Sequence, residues 1–232
     1  MTGVLAIIPA RGGSKSIRQK NVAMVCGRPL IAYTIDAAAK SARLTRTIVS
    51  SDDDTIIQVC RQLGAEVPFK RPEAISRDET PMIEVLQHAL QHLDREESYR
   101  PSIVVLLQPT SPLRTSRHID GAVDLLTAGS GDTVVSVVPV PHQFNPVSVM
   151  KIVEGRLESF LPGTPILRRQ DKPAVYARNG PAVLASRAGV IAGGRLYGDI
   201  VLPYLMRSEE SIDIDSRDDL ALAEFLLTRP RP

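Results

Sequence analysis

At 232 residues with 43% hydrophobic content, the chain is long enough to bury one substantial α/β core. Its 28 basic and 26 acidic side chains leave a charge of +2, too slight to call for nucleic acid or a membrane surface as partner. Two cysteines, Cys26 and Cys60, exclude a disulfide framework and read as reduced thiols of a cytoplasmic protein; no charged-then-apolar leader opens the chain, and no apolar run approaches the roughly 20 residues of a membrane span.

Val4 to Ile8 has the length and β-branched content of a buried strand, which Pro9 ends. A loop with Arg11, Gly12, Gly13, Ser14, Lys15, Arg18 and Lys20 follows. Its glycines permit close approach of backbone to ligand, and its cations suit an anion with several oxygens. The loop lacks GxxxxGK[ST] and GxGxxG, so neither the P-loop nor the dinucleotide fingerprint applies. A helix is expected from Leu30 to Ala42, with Pro29 at its first position. A strand follows from Thr47 to Ser51, ending at Asp52, and then a helix from Asp54 to Leu63 capped by Ser51 or Asp52. Gly64 closes that helix, and Glu66 to Phe69 reads as a short third strand. Thr80 and Pro81 form a cap and first-position pair for a helix to Leu93. His88 and His92 share one face of it, but with no third ligand they read as an exposed face and not as a zinc site.

Ser102 to Leu107 is a continuous apolar run, as in a central parallel strand. The rigid turn Gln108 to Arg114, with prolines at 109 and 112, stands at its C-terminal end, where open α/β sheets place ligands. A helix from His118 to Leu126 and a strand from Thr133 to Val140 come next. From Pro141 to Arg178 the βα rhythm breaks, and this stretch reads as an inserted arm for dimer contact or for closing over a substrate. A turn begins at Asn179-Gly180-Pro181. Asp199 to Leu205 reads as a strand, with Pro203 placing it at an edge. In Ser211-Ile212-Asp213-Ile214-Asp215 an extended backbone puts Asp213 and Asp215 on one face. Ser216 then caps a helix from Arg217 to Leu227. The order predicts a single α/β domain with a doubly wound, mostly parallel sheet and one insertion.

A carboxylate pair beside a basic loop suits Mg²⁺, a hard cation that bridges to substrate phosphates. Seven motifs then carry a resemblance: PARGGSK with Lys20-Asn21, the Ser51-Asp52 strand end, Arg71-Pro72, QPTSPLR from Gln108 to Arg114, VVSV at 134 to 137, Asn179-Gly180, and SIDID at 211 to 215. In this order and spacing the chain resembles the acylneuraminate cytidylyltransferases. The resemblance implies transfer of CMP from CTP to the anomeric 2-hydroxyl of a nine-carbon 2-keto sugar acid, with release of pyrophosphate. It implies that Arg11 and Lys20 contact the triphosphate, lined also by Gly12, Gly13, Ser14 and Lys15. Asn21 and Arg71 then stand around ribose and cytosine, and Gln108, Ser111 and Asn179 near the sugar acid. Arg169 pairs with the substrate carboxylate, and Asp213 and Asp215 ligate Mg²⁺. The attacking hydroxyl's proton is left to one aspartate or to a metal-bound water. A homodimer is expected.

The chain departs from the family pattern at Ser16, where glycine is common, and at Asn179-Gly180-Pro181-Ala182-Val183, where the family has Asn-Gly-Ala-Ile-Tyr. Sialic, legionaminic and pseudaminic acids therefore all stay open as substrates. Three other readings remain beside this one: a synthetase for eight-carbon 3-deoxy-manno-octulosonate, a glycosyltransferase using Asp213-Ile214-Asp215, and a non-catalytic nucleotide binder.

Overall fold

A computed structural model describes residues 3–13, 16–163, 166 and 168–229. Ser14 and Lys15, named above, lie outside the described residues. Strand β1 (Val4–Pro9) is buried along its whole length and pairs in parallel on both sides. A tight turn then forms from β2 (Met24–Val25) and β3 (Arg28–Pro29), with Cys26 and Gly27 both at positive φ. Helix α1 (Leu30–Ala39) leads to β4 (Arg46–Ser50) and α2 (Asp54–Gln62).

Asp53, and neither Ser51 nor Asp52, caps α2: its carboxylate accepts the Ile56 N–H at 2.9 Å. The expected third strand at Glu66 to Phe69 is reduced to two isolated bridges, Ile48 to Glu66 and Ser51 to Lys70. Helix α3 (Met82–Glu97) runs a turn beyond Leu93, because its last turn is polar and exposed and Ser98 stops it at φ 53°. His88 and His92 flank the Phe69 ring, with centroids at 4.8 and 4.7 Å, so their spacing serves packing.

Strand β5 (Ile103–Leu106) lies beside β1, and α4 (Ser116–Ala128) follows, closed at its start by a reciprocal Thr115–His118 cap. Strand β6 (Thr133–Pro139) ends where the arm departs. The arm carries a hairpin, β7 (Met150–Val153) with β8 (Arg156–Ser159), and returns as β9 (Tyr176–Arg178) along β6. Then β10 (Leu184–Arg187) inserts antiparallel between β5 and β6. The sequence pattern read only a turn there, because Gly180-Pro181 interrupts the run just before it. Short α5 (Ala188–Ala192), β11 (Val201–Leu205) and α6 (Arg217–Thr228) complete the chain. Strand β11 is an edge, as Pro203 requires.

The sheet order is β11-β6-β10-β5-β1-β4, mostly parallel, with helices on both faces. Alternation along β1 divides the core. Val4, Ala6 and Ile8 face α1, α2 and α4, whereas Leu5 and Ile7 face α3 and α5. A third apolar cluster joins Ile17, Val25 and Leu30 to Ile214 and Ala223. It pins the C-terminal segment before α6 against the loop after β1.

Candidate active site

The loops leaving β1, β4 and β5 open at the C-terminal edge of the parallel strands, the expected place for a ligand. They surround a cleft of about 570 Å³. Seven of the site residues expected from the sequence line it: Arg11, Lys20, Asn21, Arg71, Gln108, Asp213 and Asp215. Buried Ile214, between the two aspartates, points into the third cluster and turns both carboxylates the other way. The Lys20 ammonium donates to Ile214 O at 2.8 Å and meets Asp215 Oδ1 at 3.1 Å. Residues 194 positions apart are thereby locked together.

The rest of the basic loop is held from behind. Asn21 Nδ2 donates to Arg11 O at 2.9 Å, and Gly12 N donates to Asp52 Oδ1 at 3.2 Å. A Cβ on Gly12 would stand 2.7 Å from Asp53 Cβ, so glycine is needed there for loop-on-helix contact. Gly13 meets no such neighbour. Arg71 is buried and pairs with Asp52 at 3.1 Å, while its Nε donates to Ser76 Oγ at 3.0 Å. Burial lowers its pKa, with Asp52 opposing the shift.

Opposite lies the segment from Ser76 to Thr80, in which the sequence marked only Thr80, as a helix cap; Pro81 takes that position, and Thr80 Oγ1 accepts from Arg77 N instead. Asp78 from it forms an ion pair with Arg11, and Arg77 and Thr80 also line the cleft. A plain polar loop 67 residues from Arg11 carries no pattern by which to find it.

The acidic end is under electrostatic tension. Burial, and then the neighbouring Asp215, hold the Asp213 carboxyl above the usual carboxylate range, against opposing effects of Thr110 and Lys20. Asp213 Oδ1 and the hydroxyl oxygens of Thr110 and Ser111 are shielded from solvent, and none has a hydrogen bond of good geometry, although Thr110 stands close enough to Asp213 to favour its ionised form. Gly180, at φ 113°, abuts this group: a Cβ there would lie 3.2 Å from Asp213 Oδ2. No cluster of three or more potential metal-ligating side chains occurs among the described residues. A two-carboxylate site completed by substrate oxygens is the arrangement these residues permit.

Gln108 Nε2 donates to Gly180 O at 2.9 Å and marks a boundary. Beyond it lies a second chamber of about 400 Å³ that shares Gln108 and Met82 with the cleft. Its floor includes Leu106, Leu184 and Leu196, and its polar groups include Arg178 and Tyr197. The Arg178 guanidinium lies over the Tyr197 ring at 5.2 Å and donates to its hydroxyl at 2.9 Å.

Three sequence assignments sit elsewhere. Asn179 is buried and fully engaged: it accepts from Ser136 Oγ at 2.6 Å and donates to Ser211 Oγ at 2.8 Å. It therefore braces the turn and the 211–215 segment and offers nothing to a ligand. Ser111 is buried at the junction and lines neither chamber. Arg169 is exposed on the arm, in the short turn Arg169–Asp171, and lines neither chamber. The cation that does line the second chamber is Arg178.

A family model described as cytidylyltransferase matches residues 5–224. The chain is 35% identical to the CMP-N,N'-diacetyllegionaminic acid synthase of Legionella pneumophila, over 97% of this chain and 96% of that protein. It is 34% identical to the N-acylneuraminate cytidylyltransferase of Escherichia coli, over 96% of this chain, and spans about half (51%) of that longer relative. A solved CMP:2-keto-3-deoxy-manno-octonic acid synthetase complexed with CTP superimposes with a TM-score of 0.72 at 15% identity. The alignment covers 97% of this chain and 98% of that one, so the two share a fold.

Proposed function

The chain belongs to the cytidylyltransferase family, and from that premise we propose that it transfers CMP from CTP to the anomeric 2-hydroxyl of a nine-carbon 2-keto sugar acid. The observation that carries the reading is the meeting of Arg11 and Lys20 with Asp213 and Asp215 around one cleft. Cations for the phosphates and a carboxylate pair for a metal ion, lining the same cleft, are what a metal-bound triphosphate requires.

CTP lies in the first chamber, with Arg11 and Lys20 on the phosphates and Arg71 and Asn21 toward the nucleoside. The sugar acid enters the second chamber, past Gln108, where Arg178 offers a guanidinium to its oxygens. The hydroxyl oxygen bonds to the α-phosphorus as the bond to the bridging oxygen breaks, and pyrophosphate leaves. The hydroxyl's proton passes to one of the two aspartates or to a water held beside them. Alignment of the two substrates and neutralisation of the departing pyrophosphate supply most of the catalysis.

Asp213 and Asp215 would hold Mg²⁺. The shielded Oδ1 and the raised pKa of Asp213 both fit a hard cation, which relieves the two negative charges. That ion supplies charge neutralisation at the phosphoryl oxygens when bound.

The arm supports a homodimer. Ile152, Leu157, Phe144 and Phe160 on it are 60 to 76% exposed, a patch that a second copy would cover. No helix among the described residues is long and apolar enough to cross a membrane, and reduced, unpaired Cys26 and Cys60 fit a cytoplasmic setting.

A panel of keto acids with CTP and the other nucleoside triphosphates, read by pyrophosphate release, tests the proposal. CTP with an acylated nine-carbon acid is the expected productive pair. Preference for the octulosonate, or release with no keto acid, would overturn it.

A further inference from the structure

Two arginines are buried among the described residues, and they are held differently. Arg71 faces a carboxylate. Arg114 faces none: its Nη1 donates to Gln108 O at 2.9 Å and to Ala182 O at 3.0 Å, its Nη2 donates to the Thr34 hydroxyl, and its Nε has no partner. It is 2% exposed, and burial pushes its pKa down to about 9. A buried cation without a counter-ion is costly, so its retention calls for a gain elsewhere.

The three acceptors belong to three segments. Gln108 opens the loop after β5, Ala182 closes the turn after β9, and Thr34 lies on α1. The first two segments meet again on the other side, where Gln108 Nε2 bonds Gly180 O. Gln108 and Gly180 form the wall between the two chambers, and Gly180 abuts Asp213. Nη1 of Arg114 thus ties the Gln108 loop to the 179–182 turn behind the wall, while Nη2 anchors the same rigid guanidinium to α1. Lysine's ammonium is one nitrogen on a flexible stem, so it cannot hold the two carbonyls and the α1 hydroxyl together at the spacing the rigid guanidinium sets.

We infer that Arg114 is a positioning residue for the sugar-acid chamber, setting the Gln108–Gly180 wall without touching either substrate. The inference rests on the function proposed above. The basic loop on the triphosphate side is held by contacts of its own, Asn21 to Arg11 and Gly12 to Asp52, so the two substrates should respond unequally.

The test is steady-state pyrophosphate release by the wild type, Arg114→Lys and Thr34→Val, with each substrate varied at saturation of the other. Arg114→Lys should raise the keto-acid KM about 10-fold or more, since displacements near 1 Å cost up to about 100-fold. The KM for CTP should stay within about twofold. Thr34→Val, on a helix outside both chambers, should raise the keto-acid KM about two- to threefold, and this effect should vanish in the double variant. Equal change in both KM values, or a lowered melting temperature with neither KM moved, would overturn the inference. Should Arg114→Lys fail to fold, Thr34→Val decides alone: an unmoved keto-acid KM overturns the inference. A wild type silent with every keto acid would overturn the function reading and the inference with it. An active wild type with unselective variants would remove only the positioning role.

Discussion

The cleft and the arm solve opposite problems. In the cleft three cations among the described residues each have a carboxylate of their own chain: Arg11 with Asp78, Lys20 with Asp215, Arg71 with Asp52. On the arm, large apolar side chains meet little but solvent, Ile152 at 76% and Leu157 at 69% exposure. The cleft is organised before a ligand arrives, and the paired acids keep its cations in place until a triphosphate competes for them. The arm's apolar side chains stay exposed among the described residues, which is why we propose a second copy as their cover.

Breaking the cleft should have the largest effect. Arg11→Ala removes one phosphate contact and should lower turnover about 100-fold or more, as loss of a single oriented donor does elsewhere. Retained activity would detach the loop from the chemistry. Arg178→Met sharpens the division between the chambers: the keto-acid KM should rise about 10-fold while that for CTP holds, in line with a charge-assisted contact of about 1.5–3 kcal/mol. Equal KM values in the variant and the wild type would vacate that chamber.

Breaking the arm should leave the cleft's geometry intact. Ile152→Asp combined with Leu157→Asp should convert a dimer into a folded monomer, read by light scattering and circular dichroism. A dimer that persists would place the interface elsewhere.

Asp213 gives a pH-dependent prediction. Its pKa is raised in the folded state, so the ionised carboxylate destabilises the protein above that pKa. The penalty appears as pH rises from the unfolded-state value through the raised folded one. Asp213→Asn without Mg²⁺ should therefore melt higher than the wild type at pH 7, and the advantage should disappear at acid pH. A lower melting point at pH 7 would show that the carboxylate is stabilised by contacts the structure lacks. Gly12→Ala tests packing alone: the clash with Asp53 should cost about 1–3 kcal/mol in chemical denaturation.

Much of this was legible in the sequence because local physics enforces it. An apolar run buried on both faces announced β1 and β5, and Ile214 between two aspartates fixed where both carboxylates point. The Ser216 cap likewise starts α6 as read. What stayed hidden depends on contacts across long loops. Nothing near Asp78 signals that Arg11 will face it. Asn179 reads as a ligand group until Ser136 and Ser211 claim it. Arg169 and Arg178 are equally basic in sequence, but β9 pairing along β6 carries only Arg178 to the second chamber. Strand β10 was masked by the turn at Gly180-Pro181, since direction and pairing follow from the sheet and not from local propensity.

The central claim is that cations after β1 and carboxylates before α6 serve one metal-bound triphosphate. Pyrophosphate release from CTP and a nine-carbon 2-keto sugar acid, followed across a Mg²⁺ titration in the wild type and in Asp213→Asn, tests it most directly. The account predicts saturable Mg²⁺ dependence in the wild type and less than about 1% of that rate in the variant at every Mg²⁺ concentration. A variant that reaches the wild-type rate, or a wild type indifferent to Mg²⁺, would contradict it.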